Sequence, residues 1–297
     1  MQIVEHSNSK LQNLKRPKFK CDTSLGEHIP TPLKQGSHFT IFNGTAGSGK
    51  TSLLMSLLTE KGDKRVYRNC FNNVYLIIPK HSFASIGKGN PFHKHDPEKV
   101  YHELDVDTLQ DIQDKIADSA DEKETSLIII DDFIDTLKDK PVQKALRNIV
   151  NNRRHKYTSL WLVSQMLNGI PLAVRRVADS VIAFKPANNR EKEILFQEYL
   201  HITDKKQQQQ ISDHVWQKRF DHMFLDPMSS KLYRNFNEIE LKYDTNNIHN
   251  GNSQIEKNPE SKTRTESVTE RKNHSGGNQG KTKEEEEAKE DTPSGKK

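Results

Sequence analysis

Five short runs of consecutive apolar residues punctuate the middle of the chain: FTIFN (39–43), VYLIIP (74–79), SLIIID (126–131), SLWLVSQ (159–165) and DSVIAFK (179–185). Apolar residues on successive positions suit strands buried on both faces. Between the runs the period changes. PVQKALRNIVNNRR (141–154) places Val142, Ala145, Leu146, Ile149 and Val150 at helical spacing, with Asp139 as N-cap and Pro141 in the first turn. A helix is also expected around 107–118, within a polar, poorly periodic stretch from 80 to 125. After Lys185 the chain reads as two helices, 188–202 and 204–220. A hairpin follows, HMFLDPMSSKLYRNF, turning at Asp226 to Ser230. Strands alternating with helices imply an α/β fold with a mainly parallel central sheet, whose ligands sit beyond the carboxyl ends of the strands.

The pattern stops near residue 244. Residues 245–297 hold no aromatic residue, and their ten Lys/Arg balance ten Asp/Glu. Such a segment cannot bury enough apolar surface to offset its ordering entropy, so 244–297 reads as a disordered charged tail. Residues 1–36 carry six Lys/Arg against three Asp/Glu and read as a basic arm. That leaves 37–243 as the folded domain, with a core at 37–205 and a helical and hairpin extension at 206–243. Only 32% of the 297 residues are hydrophobic, as expected if part of the chain joins no core. No run is long enough to span a membrane, and no signal-peptide pattern opens the chain, so a secreted protein is not expected. Two cysteines, Cys21 and Cys70, make no disulfide scaffold and suit a reducing compartment. The net charge of +5 lies in the arm and the folded middle, and permits a polyanionic partner.

The chemistry concentrates at the ends of three strands. NGTAGSGKTSLL (43–54) follows the first strand. Gly44, Gly49, Lys50 and Thr51 fit the phosphate-loop spacing: glycines bring main-chain N–H groups up to an anion, and a helix N-terminus follows. Thr45, Ala46, Gly47, Ser48 and Ser52 complete the expected cradle. Lys50 would reach the β- and γ-phosphates, and Thr51 would place its hydroxyl on Mg²⁺. LIIIDD (127–132) supplies the carboxylates. Asp131 would hold the metal through its water shell, and Asp132 would orient or activate the attacking water. Gln165, a polar residue ending an apolar strand, could contact the γ-phosphate or that water. Arg153 and Arg154, or Arg175 and Arg176, could supply a charge-neutralising arginine.

Taken in order, GTAGSGKT, LIIIDD, NNRRHKYTSLWLVSQ, IPLAVRRVADSVIAF and NNREKEILFQEYL resemble the genome-packaging ATPases of large DNA viruses and virophages. That group is the poxvirus-type branch of the FtsK–HerA superfamily of DNA-pumping motors. The resemblance covers roughly residues 36–205, and its more specific part is the block from Arg153 to Tyr199. It implies Walker A residues at Gly44, Gly49, Lys50 and Thr51, a magnesium aspartate at Asp131 and a sensor glutamine at Gln165. Asp132 stands where the wider superfamily usually has glutamate. Arg154 stands where a trans-acting arginine would. The resemblance also implies a homo-oligomeric, usually hexameric ring around double-stranded DNA, capsid or portal-like partners, and a place in the host cytoplasm or viral factory.

The residues leave two alternatives open: a phosphotransferase such as a nucleoside or polynucleotide kinase, and a nucleotide-binding scaffold that does not hydrolyse. Three other stretches carry less. FHKHDPEKVYHE (92–103) lacks zinc spacing. QQQQ (207–210) reads as a solvated helix face. KLQNLKRPKFK (10–20) could touch phosphates.

Overall fold

Each apolar run becomes a strand, and the strands share one sheet. The computed structural model describes residues 24–85 and 90–241. Cys21, the segment 10–20 and the tail lie outside them, as does most of the basic arm. The strands are β1 (Phe39–Asn43), β2 (Asn73–Ile77), β3 (Val100–Tyr101), β4 (Ser126–Asp131), β5 (Thr158–Ser164), β6 (Ser180–Phe184), β7 (His222–Asp226), β8 (Lys231–Arg234) and β9 (Asn237–Ile239). Their order is β3-β2-β4-β5-β1-β6-β7-β8-β9. Pairing is parallel from β3 to β6 and antiparallel from β6 to β9. The expected mainly parallel α/β sheet is therefore present.

The parallel strands are buried on both faces, which explains their unbroken apolar runs. Ile128 and Ile130 enter one hydrophobic cluster, and Leu127 and Ile129 enter the other. The first face is covered by α3 (Val106–Asp121) and α4 (Lys140–Asn152). Helix α4 buries Val142, Leu146, Ile149 and Val150, each worth about 1.5–3 kcal/mol. The second face is covered by α1 (Lys50–Thr59), which buries Leu54 and Leu57. Trp161 also lies there, ringed by Phe42, Tyr67 and Phe71.

Several elements differ from the sequence reading. The polar stretch after β2 contains α2 (Lys80–Ser85) and the two-residue β3, both too short to show a period. The segment after β5 forms the short helix α5 (Leu172–Arg175). The expected helix 188–202 is α6 (Asn189–Ile194) running into a π-helical turn, Leu195–Tyr199. The expected helix 204–220 is α7 and ends at Val215 (Lys205–Val215). It stops because Trp216 leaves helical geometry at ψ 58° and sends its indole N–H to the Ala183 carbonyl, 3.1 Å away. QQQQ is not uniformly solvated. Gln208 is fully buried, its side-chain amide donating to the Ile202 carbonyl at 2.9 Å.

Candidate functional site

The site lies at the carboxyl edge of the parallel strands, because β1, β4 and β5 all end there. In register, Asp131 stands beside Val163, and Asn43 beside Ser164. Strand β5 lies between the strand feeding the glycine loop and the strand ending in aspartates. Gln165, just past β5, is thus set between them.

The loop needs its glycines. Gly49, the N-cap of α1, has φ 105°, and a Cβ there would sit 3.1 Å from Phe220. A Cβ on Gly44 would lie 2.7 Å from Phe184 and 2.8 Å from the Ser48 hydroxyl. Lys50 folds back into the loop, its Nζ donating to the carbonyls of Gly44 at 2.5 Å and Thr45 at 2.9 Å. Only 8% of Lys50 is exposed. Burial lowers its pKa, while the charges of Asp131 and Asp132 oppose that shift. Thr51 is half-buried at the start of α1, whereas Thr45, Ala46, Gly47 and Ser52 are exposed.

The acidic pair is asymmetric. Burial, then the like charge of Asp132, pushes the Asp131 carboxyl up to about 6 against the pull of Lys50. Asp132 has φ 66°, a left-handed conformation that turns its side chain out of the strand alternation. Its Oδ1 accepts from Gln165 Nε2 at 3.0 Å, and its Oδ2 accepts from Ser82 Oγ at 3.1 Å. The structure thus brings Lys50, Asp131, Asp132 and Gln165 to one edge.

The donor set fits a nucleotide polyphosphate and its divalent cation. A desolvated lysine faces two carboxylates, and Ser48 Oγ is buried without a hydrogen-bond partner among the described residues. Thr51 and Asp131 are the residues that could hold that cation.

The arginines fall elsewhere. Arg153 caps α4 at the opposite, amino edge of the sheet. There its Nη2 meets Asp179 Oδ1 at 2.7 Å and its Nη1 donates to the Val150 carbonyl at 2.7 Å. Arg154, its neighbour, is exposed. Arg175 is held by both oxygens of Glu198, at 2.7 and 2.6 Å, and by the Ile170 carbonyl. Arg175 therefore ties the π turn to the segment after β5. In the histidine-rich stretch, His95 and His102 hydrogen-bond the carbonyls of Val74 and Ile78.

Three contributors escape sequence reasoning. Ser82 comes from the aperiodic stretch, fifty residues from its aspartate partner. Glu191, itself buried, accepts from the main-chain N–H groups of Leu167 (2.5 Å) and Asn168 (3.2 Å), fixing the chain just beyond Gln165. The turn before β7 supplies Phe220, which rests on the glycine loop. Of these only Glu191 left a signal, as part of a charged segment after a strand.

Residues 32–222 match the family model described as Poxvirus A32 protein. No curated protein matches the chain. Among solved structures, the DNA-packaging ATPase B204 of Sulfolobus turreted icosahedral virus is 14% identical with a TM-score of 0.50, covering 66% of this chain and 96% of that one. The genome-packaging NTPase B204 of Sulfolobus turreted icosahedral virus 2, in complex with AMPPCP, is 14% identical with a TM-score of 0.47, at 67% and 96% coverage. The cytoplasmic domain of the type VII secretion ATPase EccC of Thermomonospora curvata is 15% identical with a TM-score of 0.46, at 70% and 26% coverage.

Proposed function

The chain belongs to the poxvirus A32 protein family, and from that premise we propose that it is an ATP-hydrolysing motor that moves viral double-stranded DNA into a capsid. The observation that carries the reading is the meeting of Lys50, Asp131, Asp132 and Gln165 at the tips of adjacent parallel strands, beside a glycine loop. We divide the chain into a basic arm at 1–36, an ATPase domain at 37–243 and a charged tail at 244–297, with Leu25 and Ile29 of the arm packed into the core of the domain.

In this reading the cradle from Gly44 to Ser52 binds the triphosphate, and Lys50 exchanges its bonds to loop carbonyls for the β- and γ-phosphates. Magnesium, held by Thr51 and Asp131, supplies charge neutralisation when bound. Asp132 orients the attacking water and takes its proton as the oxygen bonds to the γ-phosphorus and the bond to ADP breaks. Gln165 and Ser82 fix the two oxygens of Asp132 and so aim it. An arginine from a neighbouring copy completes the charge balance, and a ring of copies, in number a hexamer, encloses the duplex. Arg154 is the choice for that arginine, because it is exposed and stands where the resemblance places a trans-acting arginine. Basic pore loops grip the phosphate backbone without reading sequence. Capsid or portal-like proteins dock the ring, in the viral factory of the host cytoplasm.

The test is ATP turnover with and without long duplex DNA. Phosphate release stimulated by duplex, absent in Lys50→Ala, supports the motor. A phosphorylated small product, or binding without turnover, replaces it with one of the two alternatives.

A further inference from the structure

The carboxyl edge continues past β1, away from the aspartates. There a cavity of about 420 Å³ lies between the glycine loop, Thr45 to Ser48, and the turn Trp216 to Asp221. Its volume falls within the range of about 300–1,000 Å³ usual for small-molecule sites. The topology fixes its direction. Phe184 stands beside His222 across the antiparallel β6–β7 pair, so the turn before β7 begins at the edge where β1 and β6 end. Because the order is β4-β5-β1-β6-β7, the aspartates and this cavity flank the glycine loop from opposite sides. A nucleotide with its γ-phosphate toward Asp132 extends its other end toward the turn.

The turn presents an aromatic ring there. Phe220 is 55% exposed, with φ 73°, a left-handed conformation that bulky residues seldom adopt. Its ring edge lies against Gly49, and the Arg219 guanidinium sits 4.8 Å from the ring centroid. The turn is fastened from behind. Asp221 accepts from Lys218 N–H and Arg234 at 2.9 Å each and from Asn235 at 2.7 Å, while Trp216 is bonded to Ala183. An exposed aromatic on a fastened turn is pre-organised for a flat ligand.

We propose that Phe220, one face covered by the Arg219 guanidinium, offers its other face as the platform on which the purine ring of the bound nucleotide stacks. The inference rests on the ATP reading of the glycine loop. Aromatic rings and guanidinium planes stack on the face of any base. The indole N–H of Trp216 and the carboxylate of Asp221 are already engaged, so the platform reads the base face rather than its edge. Stacking on that face does not itself distinguish ATP from GTP.

The test compares equilibrium binding of ATP, GTP and inorganic tripolyphosphate, each with Mg²⁺, to the full chain and to Phe220→Ala and Phe220→Trp. Phe220→Ala is expected to weaken both nucleotides by about 5–150-fold and to leave tripolyphosphate within about twofold. Phe220→Trp is expected to keep nucleotide affinity. Equal weakening of tripolyphosphate would mean that Phe220 props the loop and meets no base. Unchanged ATP affinity in Phe220→Ala would equally overturn the platform. Failure of the unaltered chain to bind either nucleotide or tripolyphosphate would instead remove the ATP reading, and the platform with it.

Discussion

The two edges of the parallel sheet use polar residues in opposite ways. At the amino edge His38 donates from Nδ1 to the Gly36 carbonyl at 2.8 Å and accepts the Trp161 indole N–H at Nε2, 2.9 Å away. Asp179 divides its oxygens between Arg153 and the Phe39 N–H, each at 2.7 Å. Thr40 and Ser180 bond each other. These groups are buried or half-buried, and they spend their hydrogen bonds on the fold. At the carboxyl edge the charges face one another across an open loop. Lys50 is held by main-chain carbonyls alone, Asp132 and Phe220 sit at positive φ, and Asn43 Oδ1 and Ser48 Oγ are buried without partners among the described residues. Arg153 Nε and Ser126 Oγ at the amino edge are likewise buried without partners among the described residues, so the contrast lies in the charges: one edge settles them in pairs and the other leaves them facing one another, as expected where ligands gather beyond strand carboxyl ends.

The contrast can be broken by experiment. The largest effect expected is at the open edge: Lys50→Ala should cut ATP hydrolysis more than about 10³-fold and leave the folding transition nearly unmoved. A steady-state phosphate assay beside a melting curve checks both halves. Asp132→Asn keeps the bonds to Ser82 and Gln165 in shape but removes the proton acceptor. It should cost about 10²–10³-fold in turnover with little change in ATP affinity.

At the settled edge, stability should move instead. Burial holds the His38 pKa down at about 4, below the ordinary imidazole value of 6.5. The unfolded chain therefore binds the extra proton first as pH falls. Stability is full above pH 6.5 and is lost as pH drops toward 4, by about 3 kcal/mol from this group. Urea midpoints across that window test it, and a flat profile would place His38 in water. Smaller still, Asp179→Asn should destabilise by about 2 kcal/mol, since the Arg153 guanidinium loses its half-buried partner. Turnover per folded molecule should hold, and a large loss of turnover would bring the amino edge into the chemistry.

The open edge was partly legible and the settled edge was not. FTIFN and SLIIID announced their strands because both faces are buried. GSGKT and DD announced their chemistry because each is contiguous in sequence. The Trp161 partner of His38 lies more than a hundred residues away, and nothing local marks such a pair. A separation of fifty residues likewise hides Ser82 from Asp132. Phe220 was concealed differently: the helical period of α7 reads on through it, and only the Trp216–Ala183 bond shows why the helix stops. Gln208 is buried because one residue of a polar run must face the core when a helix packs, and QQQQ does not say which.

Glu191 gives the site a mechanical exit. Its carboxylate grips two main-chain N–H groups just after Gln165, and its own helix α6 runs into the π turn at Leu195–Tyr199. A π turn holds one residue more than the α-helical count requires, a stored slack often found where proteins act. The Gln165–Asp132 pair and the π turn are therefore joined through a single buried carboxylate.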